Sequence, residues 1–176
     1  MPQESSQPWI GNHYDCSETR LLLLADQLPA LPTILVKKVL ADFRNANYFM
    51  KQLSRGLAGE IKPDQNLLHR VWHRVAFTNY VERETFHRNI LNNLRPQRII
   101  VLGTEIWGKM PQVTAGDVYM TDDVQGYSLE DGSVAVCFAL NNPATKRLTW
   151  KQLANTIYFA LGGELPRNGR CPVGGE

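Results

Sequence analysis

Short, unbroken apolar runs separated by helix-period segments constrain this chain more than any other feature. Residues 21–24 are four leucines in a row between polar neighbours, and residues 98–103 (RIIVLG) and 134–140 repeat the form. A short continuous run fits a strand covered on both faces, because a strand with one wet face alternates apolar and polar positions. Residues 75–77 form a fourth apolar stretch, Val75, Ala76 and Phe77. Between these runs the apolar period changes to that of a helix. Over residues 33–57 it passes through Ile34, Leu35, Val39, Leu40, Phe43, Tyr48, Phe49 and Leu53, with Gly56 and Gly59 marking the end. Asp64 is placed to cap a helix carrying Leu67, Leu68, Val71 and Trp72. Residues 84–94 are helical again and stop near Pro96; Thr104 opens a short helix; Thr149 is placed to cap a last helix that ends at Gly162 and Gly163. The turn-rich stretch 116–132 leaves room for one or two minor strands.

Strands alternating with helices imply an α/β fold, a three-layer αβα sandwich around a mostly parallel sheet of four or five strands. The 176 residues suit one domain over 1–176, with 1–8 and 163–176 as loose ends. In such sheets ligands bind outside the carboxyl ends of the strands.

Composition narrows the class. Hydrophobic residues at 43% suffice for a real core, and a net charge of +2 permits nucleic-acid binding without arguing for it. The same charge counts against an acidic mimic of DNA. Cys16, Cys137 and Cys171 are odd in number and far apart, with no CxxC pair, so no zinc or iron–sulfur ligand set is legible. Cys137, inside an apolar run, reads as a buried thiol, and a reducing cytoplasm is the expected location. The polar start MPQESSQPW lacks the features of a signal peptide, and no apolar run approaches the roughly 20 residues of a membrane span.

Three loops that follow the apolar runs carry polar residues beyond what a turn needs. They are Ala25-Asp26-Gln27-Leu28-Pro29, Thr78-Asn79-Tyr80 and Asn141-Asn142-Pro143-Ala144-Thr145. One carboxylate, several amides and an aromatic ring would meet at one edge of the sheet. Amide side chains read the donor–acceptor edge of a planar base, and a ring holds its face. A carboxylate stabilises the sugar cation formed as a glycosidic bond breaks, or orients the attacking water. Such chemistry needs no cofactor and no metal. Each loop also has a plainer reading, since Asp and Asn are common turn formers.

The order of these segments resembles the uracil-DNA glycosylase superfamily, particularly its compact bacterial members. The order is strand, acidic loop, FTNYV, RPQRIIVLGTEIW, then a late strand ending in NNPAT before a terminal helix. The resemblance spans residues 11–161. It implies a glycosylase that flips a damaged or modified pyrimidine from DNA and hydrolyses its N-glycosidic bond, leaving an abasic site. By that resemblance Asp26 and Asn142 are catalytic, Asn79 reads the base, and Gln27 and Tyr80 line it. Thr145, Lys146, Arg147 and Leu148 contact DNA, with Leu148 as the wedge. The implied partner is single- or double-stranded DNA and the implied state a monomer. No lysine stands in the three loops, so a monofunctional enzyme without β-elimination is expected. Two departures bear on the substrate: Ala25 replaces the first-motif glycine and Asn142 the last-motif histidine. The resemblance implies uracil or another deaminated base by default, and the departures are compatible with a bulkier pyrimidine, such as glucosylated 5-hydroxymethylcytosine in phage DNA, with a role in defence. The missing histidine also admits a non-catalytic nucleic-acid-binding module on the same fold.

An early cluster, Asn12, His13 and Tyr14, is either a flap that lends side chains to the base or a surface turn with an amphipathic anchor. His69 and His73 lie four apart on an expected helix, a metal-pair spacing with no third ligand evident. Arg70, Arg74, Arg83, Arg88, Arg95, Lys146, Arg147 and Lys151 form either a phosphate-binding face or scattered solvated charge.

Overall fold

The computed structural model describes residues 7–111, 123–140 and 148–162. It is a mixed α/β structure around one six-stranded sheet. The elements run β1 (Trp9–Ile10), β2 (Leu21–Ala25), α1 (Pro32–Ala41), α2 (Tyr48–Ala58), α3 (Gln65–Trp72) and β3 (Val75–Asn79). There follow α4 (Arg83–Thr85), a π-helical turn (Phe86–Leu91), α5 (Asn92–Leu94), β4 (Arg98–Val101) and α6 (Thr104–Lys109). β5 (Val124–Ser128), β6 (Val134–Ala139) and α7 (Trp150–Ala160) complete the described chain.

The sheet order is β1-β3-β2-β4-β6-β5. The four inner strands are the four apolar runs, and all three contacts among them are parallel. Successive leucines of β2 point to opposite faces, as a pleated strand requires. Leu21 and Leu23 join a core with α1, α2, α3 and α7, including the fully buried Val36, Leu53, Trp72 and Leu153. Leu22 and Leu24 face a second core built by Tyr14, Phe86, Leu91, Ile106 and Tyr127. Both faces of β2 are dry, which is why it reads as an unbroken run. Cys137 of β6 is a free, fully buried thiol, and burial holds its pKa above the ordinary range.

The sheet has six strands where four or five are expected, and the extra strands are antiparallel edges. β1 has only two residues, too short for any period, and is anchored by Trp9 Nε1 donating to the Trp72 carbonyl at 2.9 Å. β5 (VQGYS) contains a glycine and polar residues, because an edge strand is not required to be apolar on both sides.

The expected helix over 33–57 is two helices. Asp42 Oδ1 accepts from the Arg44 amide at 3.1 Å, starting a single 3-10 turn over Phe43–Asn45. Asn47 Oδ1 then accepts from the Met50 amide at 2.8 Å and opens α2. Short polar side chains that bond their own backbone offer an alternative to helix continuation, and two of them fall here within five residues. Asp64 caps α3 as expected, accepting from the Leu67 amide at 2.8 Å. Thr149 precedes α7 without a side-chain capping bond. Among the described residues no helix is long and apolar enough to cross a membrane.

Candidate functional site

The parallel register brings two of the three loops to one edge. Ala25, the last residue of β2, pairs with Asn79, the last of β3, so the acidic loop and the T-N-Y segment leave the sheet side by side. The Tyr80 amide donates to the Ala25 carbonyl at 2.7 Å and continues the ladder one residue past the strands. Asn79 is buried, and its Oδ1 accepts from the Leu28 amide at 3.4 Å, tying the two loops together across the edge. Between these ties the chain turns sharply. Gln27 adopts a left-handed conformation with φ 52°, which favours glycine, so the turn carries strain beside Asp26. Gln27 itself is exposed.

Asp26 stands at this turn with its side chain 22% exposed, and Lys109 Nζ lies 3.3 Å from its Oδ2. Lys109 ends α6, the helix that follows β4. β4 lies beside β2 on the side opposite β3, and the Leu102 amide donates to the Leu24 carbonyl at 2.9 Å. The amine therefore reaches Asp26 from a third strand end. Tyr80 braces this arrangement, its hydroxyl donating to the Lys109 carbonyl at 3.4 Å. A closed circuit results: Ala25 to Tyr80, Tyr80 to Lys109, Lys109 to Asp26.

The aromatic ring expected to stack on a base is engaged elsewhere. Tyr80 is 6% exposed, belongs to the second core and meets Phe86 edge-on at 5.6 Å. Burial of so large a ring is worth more than an exposed perch, and its role here is to support α6. Leu148, the expected wedge, is half-buried against the main core. Asn142, Thr145, Lys146 and Arg147 lie outside the described residues. Their flanks are placed: the Leu140 amide donates to the Val101 carbonyl at 3.0 Å, so the chain leaves β6 at the same carboxyl edge.

The early cluster belongs to the opposite edge. β1 runs antiparallel to β3, with Trp9 opposite Phe77 and Ile10 opposite Ala76, so the chain beyond it travels toward the start of β3. The Gly11 amide donates to the Val75 carbonyl at 3.0 Å and the His13 amide to the His73 carbonyl at 2.8 Å. The Asn12 amide donates to His73 Nδ1 at 3.3 Å. Tyr14 is fully buried and its hydroxyl donates to the Leu94 carbonyl at 3.0 Å, just before β4. Asn12, His13 and Tyr14 are thus the anchor of an edge strand, not a flap over Asp26. Burial raises the Tyr14 pKa far above the usual tyrosine range. His73 stacks on His69 with ring centroids 6.0 Å apart. Its pKa is lowered, first by burial and then by His69 and His13. Among the described residues no three His, Cys, Asp or Glu side chains are grouped to hold a metal.

The basic residues divide in the same way. Arg74 and Arg95 precede β3 and β4, at the amino edge, and so do not flank Asp26. Lys109 does, and reasoning confined to the three loops misses it because it arrives from the helix after β4, a strand that none of those loops follows. Its legible signal is the TEIWGKM segment directly after the clearest strand. No family model matches this chain, and no curated protein matches it either.

Proposed function

We propose that the protein is a DNA glycosylase acting on a flipped, damaged or modified pyrimidine. The observation that carries the reading is the pairing at the carboxyl edge: a partly exposed carboxylate, Asp26, one residue beyond Ala25, which pairs with the buried amide residue Asn79. A flipped base is read by amide groups on its edge, while its sugar needs negative charge nearby as the glycosidic bond breaks. Asp26 orients a water toward C1′ and stabilises the sugar cation. The water oxygen bonds to C1′, the C1′–N bond breaks with its electron pair leaving on the base, and the water's proton passes to Asp26 and then to solvent. Lys109 holds the carboxylate in place through their ion pair. Asn79 meets the base edge, and Asn142 supports the departing base on the strength of its position in the sequence motif. Uracil-type bases and bulky pyrimidines such as glucosylated 5-hydroxymethylcytosine are the substrates to compare, the latter with a role against phage.

The test is base release from duplex and single-stranded oligonucleotides carrying uracil, hypoxanthine, 5-hydroxymethylcytosine or its glucosylated form, read by alkaline cleavage at the abasic site. Release from one substrate, lowered about 100-fold or more in Asp26→Asn, is the expected result. DNA binding without release from any substrate would overturn catalysis and leave a binding module.

A further inference from the structure

Lys109 gives the site a chemistry that the three loops alone do not contain. We propose that Lys109 is a Schiff-base nucleophile and that the protein cleaves DNA at abasic sites by β-elimination; this rests on the reading of the site as one that handles a deoxyribose stripped of its base. Three observations support it. Lys109 Nζ lies 3.3 Å from Asp26 Oδ2, the separation of a nucleophile and its base. The Lys109 side chain is 57% exposed while Asp26 is only 22% exposed, so the amine faces an incoming sugar with the carboxylate behind it. The Lys109 backbone is fixed by the Tyr80 hydroxyl, and Tyr80 in turn by the Ala25 carbonyl, which ties the amine to the strand end that carries Asp26. The other described lysines, Lys37, Lys38, Lys51, Lys62 and Lys151, belong to α1, α2, α7 or the turn after α2.

The steps balance without an oxidant or a metal. An abasic deoxyribose opens to an aldehyde at C1′. Asp26 takes a proton from the Lys109 ammonium, and the free amine adds to C1′; Asp26 returns that proton to the carbinolamine hydroxyl, which leaves as water and gives a protonated imine. Asp26, again a carboxylate, then removes a proton from C2′. The C2′–H electrons form the C2′–C3′ double bond, the C3′–O bond breaks, and the phosphate departs with the downstream strand. Water then hydrolyses the imine and frees Lys109.

The experiment uses the full chain and a duplex with a preformed abasic site, treated with sodium borohydride to reduce the imine to a stable amine. A covalent protein–DNA species is expected, with peptide mass mapping placing the adduct on Lys109. Lys109→Arg, which keeps the positive charge but forms no imine, loses the adduct while melting like the wild type. An adduct on another lysine, an undiminished adduct in Lys109→Arg, or none with wild type overturns the proposal. The two readings fail separately: base release with no trapping sinks the lyase alone, and trapping on Lys109 without base release sinks base excision alone.

Discussion

Gly11→Ala tests the assignment of the early segment to a structural anchor at the amino edge. A Cβ at Gly11 would sit 2.2 Å from the His73 carbonyl carbon and oxygen and 2.6 Å from its Cα. These are backbone atoms leading into β3, so no side chain can swing aside. The two segments must part by about 1 Å or more to restore ordinary contact. The Gly11–Val75 and His13–His73 bonds, now 3.0 and 2.8 Å, then lengthen beyond hydrogen-bonding range. Each such bond is worth about 1 kcal/mol net, and overpacking a tight contact adds about 1–3 kcal/mol. Complete detachment is costlier still, because it exposes Trp9 and Tyr14, each a large side chain now buried. A destabilisation of about 3 kcal/mol follows, or a fall in Tm of about 6–12 °C for a chain of this size. Thermal melting followed by circular dichroism measures it. Gly108→Ala is the control, since a Cβ there meets nothing within 4 Å and alanine favours the helix α6. A Gly11→Ala protein melting within about 2 °C of wild type would refute the packing argument and return the segment to the status of a loose flap.

Tyr14→Phe keeps the buried ring but strands the Leu94 carbonyl, and should cost about 1 kcal/mol in denaturant unfolding without altering base release; loss of release at full stability would place Tyr14 in the site after all. Protonation of His73 is disfavoured in the fold, so the unfolded chain binds the extra proton first as pH falls. Stability should therefore be complete above the ordinary histidine value of 6.5 and decline below it, down to the lowered folded pKa. His73→Gln should flatten that decline in melting curves taken across the range, and an unchanged slope would assign the acid sensitivity to another group.

The sheet's interior was legible because β2 is buried on both faces and apolar throughout, and β3, β4 and β6 each keep an apolar run, even where β3 ends in Thr78 and Asn79 and one face of β6 is only half-buried. Its edges were not. β1 owes its place to the Trp9–Trp72 bond and to ladder bonds from Gly11 and His13, none of which leaves a periodic trace. The division of α1 from α2 was readable in principle from Asp42, Asn45 and Asn47, but the apolar period runs on across them and obscures the break. The pairing of Asp26 with the Asn79 loop follows from strand order, since both residues stand at the carboxyl ends of neighbouring parallel strands. Tyr80 looked like a stacking ring by type; its burial depends on Phe86, which the π-helical turn places against it.

The two polar and aromatic clusters, Asn12-His13-Tyr14 and Asp26-Asn79-Tyr80, are alike in composition, and only the direction of a two-residue strand tells them apart. Were β1 parallel to β3, the residues after it would emerge beside Asn79. Because it is antiparallel, Gly11 meets Val75 and His13 meets His73, and the cluster becomes an anchor. Lys109 shows the converse. It lies 83 residues from Asp26 and outside every loop that its composition singles out, yet a six-residue helix after β4 brings it back over the strand end. Residue type proposes chemistry, but strand direction and the return of a short helix decide which groups can share it. Here they remove three side chains from the carboxyl edge and bring the Lys109 amine to Asp26.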